Sequence, residues 1–161
     1  MTPIKKIQPK ADPKGEKKAN RRGAARLAAV QALYQIDMER TELHLLLDEF
    51  HQHRLGAEIE DVEYAKADIN FFDDIVRGVE ARRDEIDALL TSKLATGWAI
   101  PRLDKTMLQI LRAGTYELLA RNDVAIGTAI SEYVDVAHAF FDEREAKFVN
   151  GLLDAVAKEV R

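Results

Sequence analysis

Apolar residues recur along most of the chain at spacings of three and four, the period of one face of an α-helix. Seven segments carry this pattern, and none shows the period-two alternation that a half-buried strand would need. Short polar stretches separate the seven segments. The pattern therefore predicts an all-α protein, folded as a compact single-domain bundle of about seven helices.

The first helix is predicted to begin near Arg21 and to end before Thr41, with an apolar stripe made of Leu27, Val30, Tyr34 and Met38. The other six are predicted at about 41–53, 69–79, 86–94, 103–122, 127–140 and 142–160. Their expected core positions include Leu46, Phe50, Ile69, Phe72, Val76, Ile86, Leu90, Leu111, Leu118, Tyr133, Ala137, Phe140, Val149 and Leu153. The segment from Leu103 to Asn122 has a wholly apolar middle, which places it at the centre of the bundle.

Charge is divided unevenly along the chain. Residues 1–26 contain nine basic and two acidic side chains, a net of +7, so the remainder carries −11 of the total of −4. Residues 1–20 are rich in Lys and Pro and have almost no apolar anchor, which predicts a basic disordered arm in front of a helical domain of residues 21–161. Such an arm suits capture of a polyanion, although a merely solubilising tail explains the charge equally well.

The composition excludes several kinds of chemical site and indicates the cellular compartment. The chain has no cysteine, which excludes disulfides, thiolate nucleophiles and cysteine-bound metals. Its longest uncharged stretch, from Leu27 to Ile36, is far shorter than a membrane span, and no apolar run of a secretory signal follows the basic start. A cytoplasmic protein without a membrane partner is expected.

Residues that could perform catalysis are few and scattered. Only two serines occur, Ser92 and Ser131, and although His138 shares a helix side with Ser131, neither lies in a nucleophile motif. The four histidines lack the spacing of a metal site, and the carboxylates of 58–63 and 73–74 are typical of solvated surfaces. No glycine-rich phosphate loop is present. The sequence therefore predicts no catalytic residue, no metal, no cofactor and no enzyme activity.

Single-stranded RNA is bound by basic side chains on its backbone and by rings that stack on unpaired bases. The chain offers both at two places, listed as Arg21, Arg22, Arg26 and Tyr34 on the first helix and Lys147, Phe148 and Asn150 near the start of the last. The amino end of a helix dipole also favours phosphate. Ordinary core packing is the alternative for the two rings.

Four segments carry a resemblance to a known family. RLAAVQALY (26–34), LRAGTYELLARNDV (111–124), AISEYVDVAHAFF (129–141) and KFVNGLLDAVAKEV (147–160) resemble the NusB family in order and spacing, so that the likeness covers about residues 21–160. The resemblance implies a NusB-like helical fold. It also implies a bacterial transcription antitermination factor that binds boxA RNA.

The resemblance further implies partners and residue roles. The family works with a small-subunit ribosomal protein, Nus factor E, and joins other Nus factors on RNA polymerase, notably during ribosomal RNA synthesis. By position, the RNA-contacting set would be Arg21, Arg22, Arg26, Tyr34, Lys147 and Phe148. The partner face on the central helix would include Met107, Arg112 and Glu117. Some members self-associate through the surface that RNA would use, so the oligomeric state, monomer or homodimer, stays open.

Two other functions remain open at this stage. The chain could be a helical protein–protein interaction module without RNA specificity, its basic arm only aiding solubility. A NusB-like domain also occurs at the front of some RNA cytosine methyltransferases. Because this chain ends at Arg161, we expect no methyl-donor domain.

Overall fold

The computed structural model describes the backbone of residues 13–53, 55 and 68–161, with side chains from Arg21 onward. Within these residues it has seven α-helices and a single 3₁₀ turn, Ile100–Arg102, and no strand. The helices are α1 Pro13–Glu39, α2 Leu43–His53, α3 Ile69–Ala81, α4 Arg83–Lys93, α5 Lys105–Ala120, α6 Ile126–Phe140 and α7 Glu143–Val160. The predicted all-α bundle is confirmed.

The first helix begins earlier than its apolar pattern predicts. Its backbone is helical from Pro13, eight residues before Arg21. Residues 13–20 contain good helix formers, and proline suits a first helical position, but they lack the apolar stripe on which the prediction depended. Residues 1–12 of the predicted arm lie outside the described residues, as does the acidic stretch 56–63.

The apolar stripe expected along α1 is partly wrong. Tyr34 and Met38 are 40% and 49% exposed, and the expected core residues Ile69 and Phe140 are also exposed. The buried face of α1 is instead mostly alanine, and consists of Ala25, Ala28, Ala29, Val30, Ala32 and Leu33. Small side chains let α1 approach α3 and α5 closely, so the larger residues of the helix remain outside.

The predicted central position of α5 is confirmed. Every residue from Met107 to Leu118 is buried, and the helix packs against α1, α3, α4, α6 and α7. It begins where the Asp104 carboxylate accepts hydrogen bonds from the backbone N–H groups of Thr106 and Met107, at 2.8 and 3.1 Å. These five helices are therefore positioned by their contacts with α5, whereas α2 packs on α1 and α3.

Charged side chains join α5 to its neighbours inside the bundle. Arg26 of α1 donates to both carboxylate oxygens of Glu117, at 2.9 and 2.6 Å, and to Glu132 of α6 at 2.9 Å. On the opposite side Arg112 donates to both oxygens of Asp87 of α4, at 2.9 and 2.8 Å. These bidentate bonds fix the position and rotation of α1 and α4 on the central helix.

The end of α7 is fixed in a similar way. The Arg161 guanidinium donates to backbone carbonyls of Leu118, Val124 and Arg121, at 2.9, 2.7 and 2.7 Å. These carbonyls belong to the end of α5 and to the turn before α6, where a helix leaves its last C=O groups unpaired. The carboxyl end of α7 therefore lies beside the carboxyl end of α5, so the two helices run parallel.

A close approach of α3 to α5 requires glycine at position 78. A Cβ built on Gly78 would overlap the Tyr116 ring, whose hydroxyl donates to Asp74 at 2.8 Å. We expect Gly78→Ala to lower the free energy of unfolding by about 1–3 kcal/mol, because the ring must shift. Gly151→Ala, where a Cβ meets open space on α7, should instead raise it by about 0.5–1 kcal/mol. Urea denaturation measures both, and an unchanged midpoint for Gly78→Ala would contradict the packing described.

The buried Arg26–Glu117 pair gives a second prediction. Arg26→Met leaves an unpaired carboxylate in the core and should cost about 3–5 kcal/mol of unfolding free energy, whereas Arg26→Met with Glu117→Met should recover part of that loss. Arg82→Ala, which breaks an exposed pair with Glu85, is the control and should move the urea midpoint little. A single variant as stable as the double variant would show that the pair is not desolvated as described.

Candidate nucleic-acid interface

The basic start of α1 is held against the start of α3. The Asp68 backbone N–H donates to the Arg21 carbonyl at 3.0 Å, and its side chain caps α3 by accepting from the Phe71 N–H at 3.0 Å. Arg21 is exposed, and Arg22, whose side chain is 19% exposed, lies 3.7 Å from Asp68 and 3.8 Å from Asp123. Two predicted RNA residues therefore stand at a fixed corner between α1 and α3.

Arg26 points inward rather than toward solvent. It is 2% exposed, and both of its acidic partners belong to the helix bundle. Burial lowers the pKa of Arg26, but the hydrogen bonds and charge of Glu117 outweigh that effect and raise it overall. Burial beside the same carboxylate also raises the pKa of Tyr133, so the phenol stays neutral. Arg26 therefore has a structural role in this conformation, and little of its surface could meet phosphate.

Tyr34 lies on the outer face of α1. It is 40% exposed and shares this face with Gln31 and Met38, which stand one turn before and after it. At 1.5 Å per residue, Tyr34 is about 18 Å along the helix from Arg22. The ring is therefore exposed for stacking, but at 3.6 residues per turn it also stands roughly 120° around the helix from Arg22, on a different side of α1.

The start of α7 presents the second group of predicted RNA residues. Lys147 and Asn150 are exposed, and Phe148 is 36% exposed although it belongs to a helix with a buried face. The lysine and the asparagine line an open groove of about 470 Å³ between α6 and α7. Its walls are Ile126, Gly127, Ile130, Ser131, Val134, Glu143, Ala146 and Asp154.

Helix α6 links the two groups. On one side its Glu132 binds Arg26, one turn of α1 from Arg22. On the other side its Ser131 and Val134 share the groove with Lys147. Both groups therefore adjoin the middle of α6, Arg26 through Glu132 on one side and Lys147 through the groove on the other.

The three residues predicted for the partner face lie in the interior. Met107, Arg112 and Glu117 are 6%, 5% and 0% exposed, and the two charged ones are taken up by the ion pairs with Asp87 and Arg26. In this conformation they position α5 and its neighbours. Their contact with a partner stays a prediction.

The sequence reasoning missed an exposed loop before α5. Trp98 is 53% exposed, and the Arg102 guanidinium lies 5.7 Å from its ring centroid. Arg102 also donates to the Gly97 carbonyl at 2.9 Å, and Gly97 has a φ of +90°, which glycine adopts without strain. The sequence could have suggested this loop, because Trp98 is the one tryptophan of the chain and stands between the turn-forming residues Gly97 and Pro101.

Candidate catalytic residues do not form a site among the described side chains. The Ser92 hydroxyl donates to the Leu89 carbonyl at 2.7 Å, and His51 pairs with Asp73 at 2.6 Å. Over the same residues, no three His, Asp or Glu side chains are placed to hold a metal ion. No helix in the part of the chain that the structure describes is long and apolar enough to cross a bilayer.

Sequence comparison identifies relatives over nearly the whole chain. The model of the NusB family matches residues 23–158. A transcription antitermination protein NusB of Novosphingobium aromaticivorans is 82% identical over 140 residues, which cover 87% of this chain and 95% of the relative. That of Sphingopyxis alaskensis is 68% identical over 145 residues, covering 90% of this chain and 97% of the relative.

Solved structures share the fold. NusB of T. maritima superposes with a TM-score of 0.71 at 33% identity, covering 86% of this chain and 91% of that one. A chain in a crystal structure of antitermination factors NusB and NusE in complex with dsRNA superposes with a TM-score of 0.72 at 26% identity, covering 86% and 96%. With the family match and the high identities, these findings show that the chain belongs to the NusB family.

Proposed function

We propose that this protein is a transcription antitermination factor that binds unpaired boxA RNA together with a ribosomal-protein partner, NusE. The observation that carries the proposal is the exposure of Arg21 and Tyr34 on α1 and of Lys147, Phe148 and Asn150 near the start of α7, the two helices that flank α6. The fold shared with a chain from a complex of NusB and NusE with dsRNA supports the part of the proposal that joins RNA and NusE. The other Nus factors and RNA polymerase are the assembly that this pair would join, notably during ribosomal RNA synthesis.

Two kinds of contact would hold the RNA. Arg21, Arg22 and Lys147 would bind phosphates. The contribution of these contacts to RNA affinity falls as the salt concentration rises. Tyr34 and Phe148 would stack on bases, with about 1–3 kcal/mol for each ring. Asn150 lies beside Lys147 at the groove and would hydrogen-bond a base edge. Arg26 would support the other arginines from inside the bundle.

So few contacts give modest affinity for RNA alone. The body of the protein outside residues 1–26 has a net charge of −11, so it would repel RNA that is not held at these two groups. A protein partner that binds the same RNA strand beside this protein adds contacts to it. By linkage, the affinity of each protein for the RNA is then higher in the presence of the other. The heterodimer with NusE is therefore the proposed working form.

We propose the loop 95–104 as the place where NusE contacts this protein. The predicted partner residues on α5 are buried, and this loop is the exposed segment that leads into that helix. Tryptophan and arginine are the side chains that most often dominate the energy of protein interfaces. The Arg102 guanidinium lies 5.7 Å from the Trp98 ring centroid and donates to the Gly97 carbonyl, contacts that would restrict the loop before a partner arrives.

We assign the protein no catalytic activity and no cofactor. We expect it to work in the cytoplasm, where nascent RNA is made. The rival proposal is a helical interaction module without RNA specificity. Titration of a boxA oligonucleotide and of a scrambled one, each with and without NusE, separates the two. The proposal requires tighter binding of boxA and a further gain with NusE, and equal affinity for both oligonucleotides would favour the rival.

Phe148→Ala tests the stacking contact. The ring is 36% exposed, so its loss should leave the fold intact and weaken boxA binding by roughly 5- to 150-fold, the equivalent of one stacked base. Fluorescence anisotropy measures the affinity and urea denaturation checks the fold. Phe140→Ala, which removes a ring of similar exposure from the end of α6, is the control and should bind as the unaltered protein does. Unchanged affinity for Phe148→Ala would contradict the proposed contact.

Trp98→Ala tests the partner surface. Truncation of a central interface tryptophan costs about 2 kcal/mol or more, so NusE should bind at least roughly 30-fold more weakly. Binding of boxA RNA by the variant alone should not change. Leu45→Ala removes an equally exposed apolar side chain from α2 and should leave NusE binding intact. Isothermal titration with NusE measures both variants, and equal affinities would refute this docking site.

A further inference from the structure

The ring of Phe71 is surrounded by three arginines. Phe71 is 2% exposed and stands in the first turn of α3. The guanidinium carbons of Arg22, Arg26 and Arg121 lie 4.5, 4.9 and 4.8 Å from its ring centroid. All three distances are within the roughly 6 Å over which an aromatic face attracts a cation. One buried ring thus contacts cations from α1 and from the residue after α5.

The three arginines differ in how else they are held. Arg26 is bonded to Glu117 and Glu132. Arg121 donates to both oxygens of Asp123 at 2.9 Å and to Asp74 at 3.1 Å, and its hydrogen bonds lower the pKa of Asp123 to about 2. Both guanidinium groups would therefore keep their places without the ring.

Arg22 depends on the ring far more. Its two acidic neighbours, Asp68 and Asp123, are 3.7 and 3.8 Å away, beyond hydrogen-bond distance. Its Nε is buried and has no hydrogen-bond partner among the residues that the structure describes. Of the contacts on this guanidinium, the one with the Phe71 ring, at 4.5 Å, is therefore the contact that fixes its direction.

We propose that Phe71 is a positioning residue for RNA binding: it holds Arg22 in the direction from which the guanidinium meets an RNA phosphate. The inference rests on the proposed function, because Arg22 belongs to the proposed RNA surface. An aliphatic side chain in place of Phe71 would fill the space but offer no negative ring face. Arg22 would then turn to form close hydrogen-bonded pairs with Asp68 or Asp123, and its charge would be lost to RNA.

The test compares two neighbouring phenylalanines. Phe71→Leu removes the ring that contacts arginines, and Phe72→Leu removes an equally buried ring that stacks on Phe50 at 5.5 Å. Both variants lose similar packing, and urea denaturation sets conditions in which both are folded. Affinity for boxA RNA is then measured over a range of salt concentrations.

Phe71→Leu should weaken binding about fivefold, the equivalent of one cation–ring contact. It should also reduce the slope of log affinity against log salt by about 0.7, the value for one phosphate contact on a single strand. Phe72→Leu should change neither quantity. Equal losses in both variants, or no change in the salt slope of Phe71→Leu, would overturn the inference.

A double variant shows whether the effect passes through Arg22. If it does, Arg22→Ala with Phe71→Leu should bind RNA as Arg22→Ala alone does, whereas independent, additive losses would overturn the inference. Should Phe71→Leu not fold, the Arg22 Nε–H resonance of the unaltered protein gives the answer, because a ring over the guanidinium shifts it upfield and an unshifted resonance excludes the contact. If the unaltered protein fails to distinguish boxA from scrambled RNA, the proposed function fails, a result separate from all of these.

Discussion

The ion pair between Arg26 and Glu117 is the contact on which the proposed surface most depends. It is buried in the middle of the bundle, and through Glu132 it joins α1 to both α5 and α6. Since a buried charge without its partner is costly, α1 has one favourable position and one rotation on the central helix. That rotation turns Tyr34 outward and sets Arg21 and Arg22 at the corner with α3.

The same arrangement explains how an acidic protein can bind RNA. At the corner, Asp74 and Asp123 hold Arg121 by hydrogen bonds, and the Phe71 ring orients Arg22. Only a few cationic side chains, each held in one orientation, are therefore available to contact a ligand. Confinement of this kind favours an RNA whose phosphates and bases fit those positions over nonspecific binding of any polyanion.

The sequence predicted the helices and the position of α5 because the apolar period is strong there. It also suggested RNA candidates from basic and aromatic residues, which stay predictions, and it placed Tyr34 in the apolar stripe although the ring is exposed. It could not predict which arginine points inward. Arg22 and Arg26 are one turn apart on one helix, and only the position of Glu117, 91 residues after Arg26, decides their roles. The alanine face of α1 was missed for a related reason, since small residues give a weak apolar signal although they permit the closest packing.

The central claim is that the exposed RNA candidates on α1 and those near the start of α7 form one surface for one RNA strand. An NMR titration of the whole protein with a boxA oligonucleotide tests it directly, by following the backbone amides of Arg21, Tyr34, Phe148 and Asn150. The account predicts that all four shift together along a single binding curve. Shifts at only one helix start, or two curves with different affinities, would contradict it.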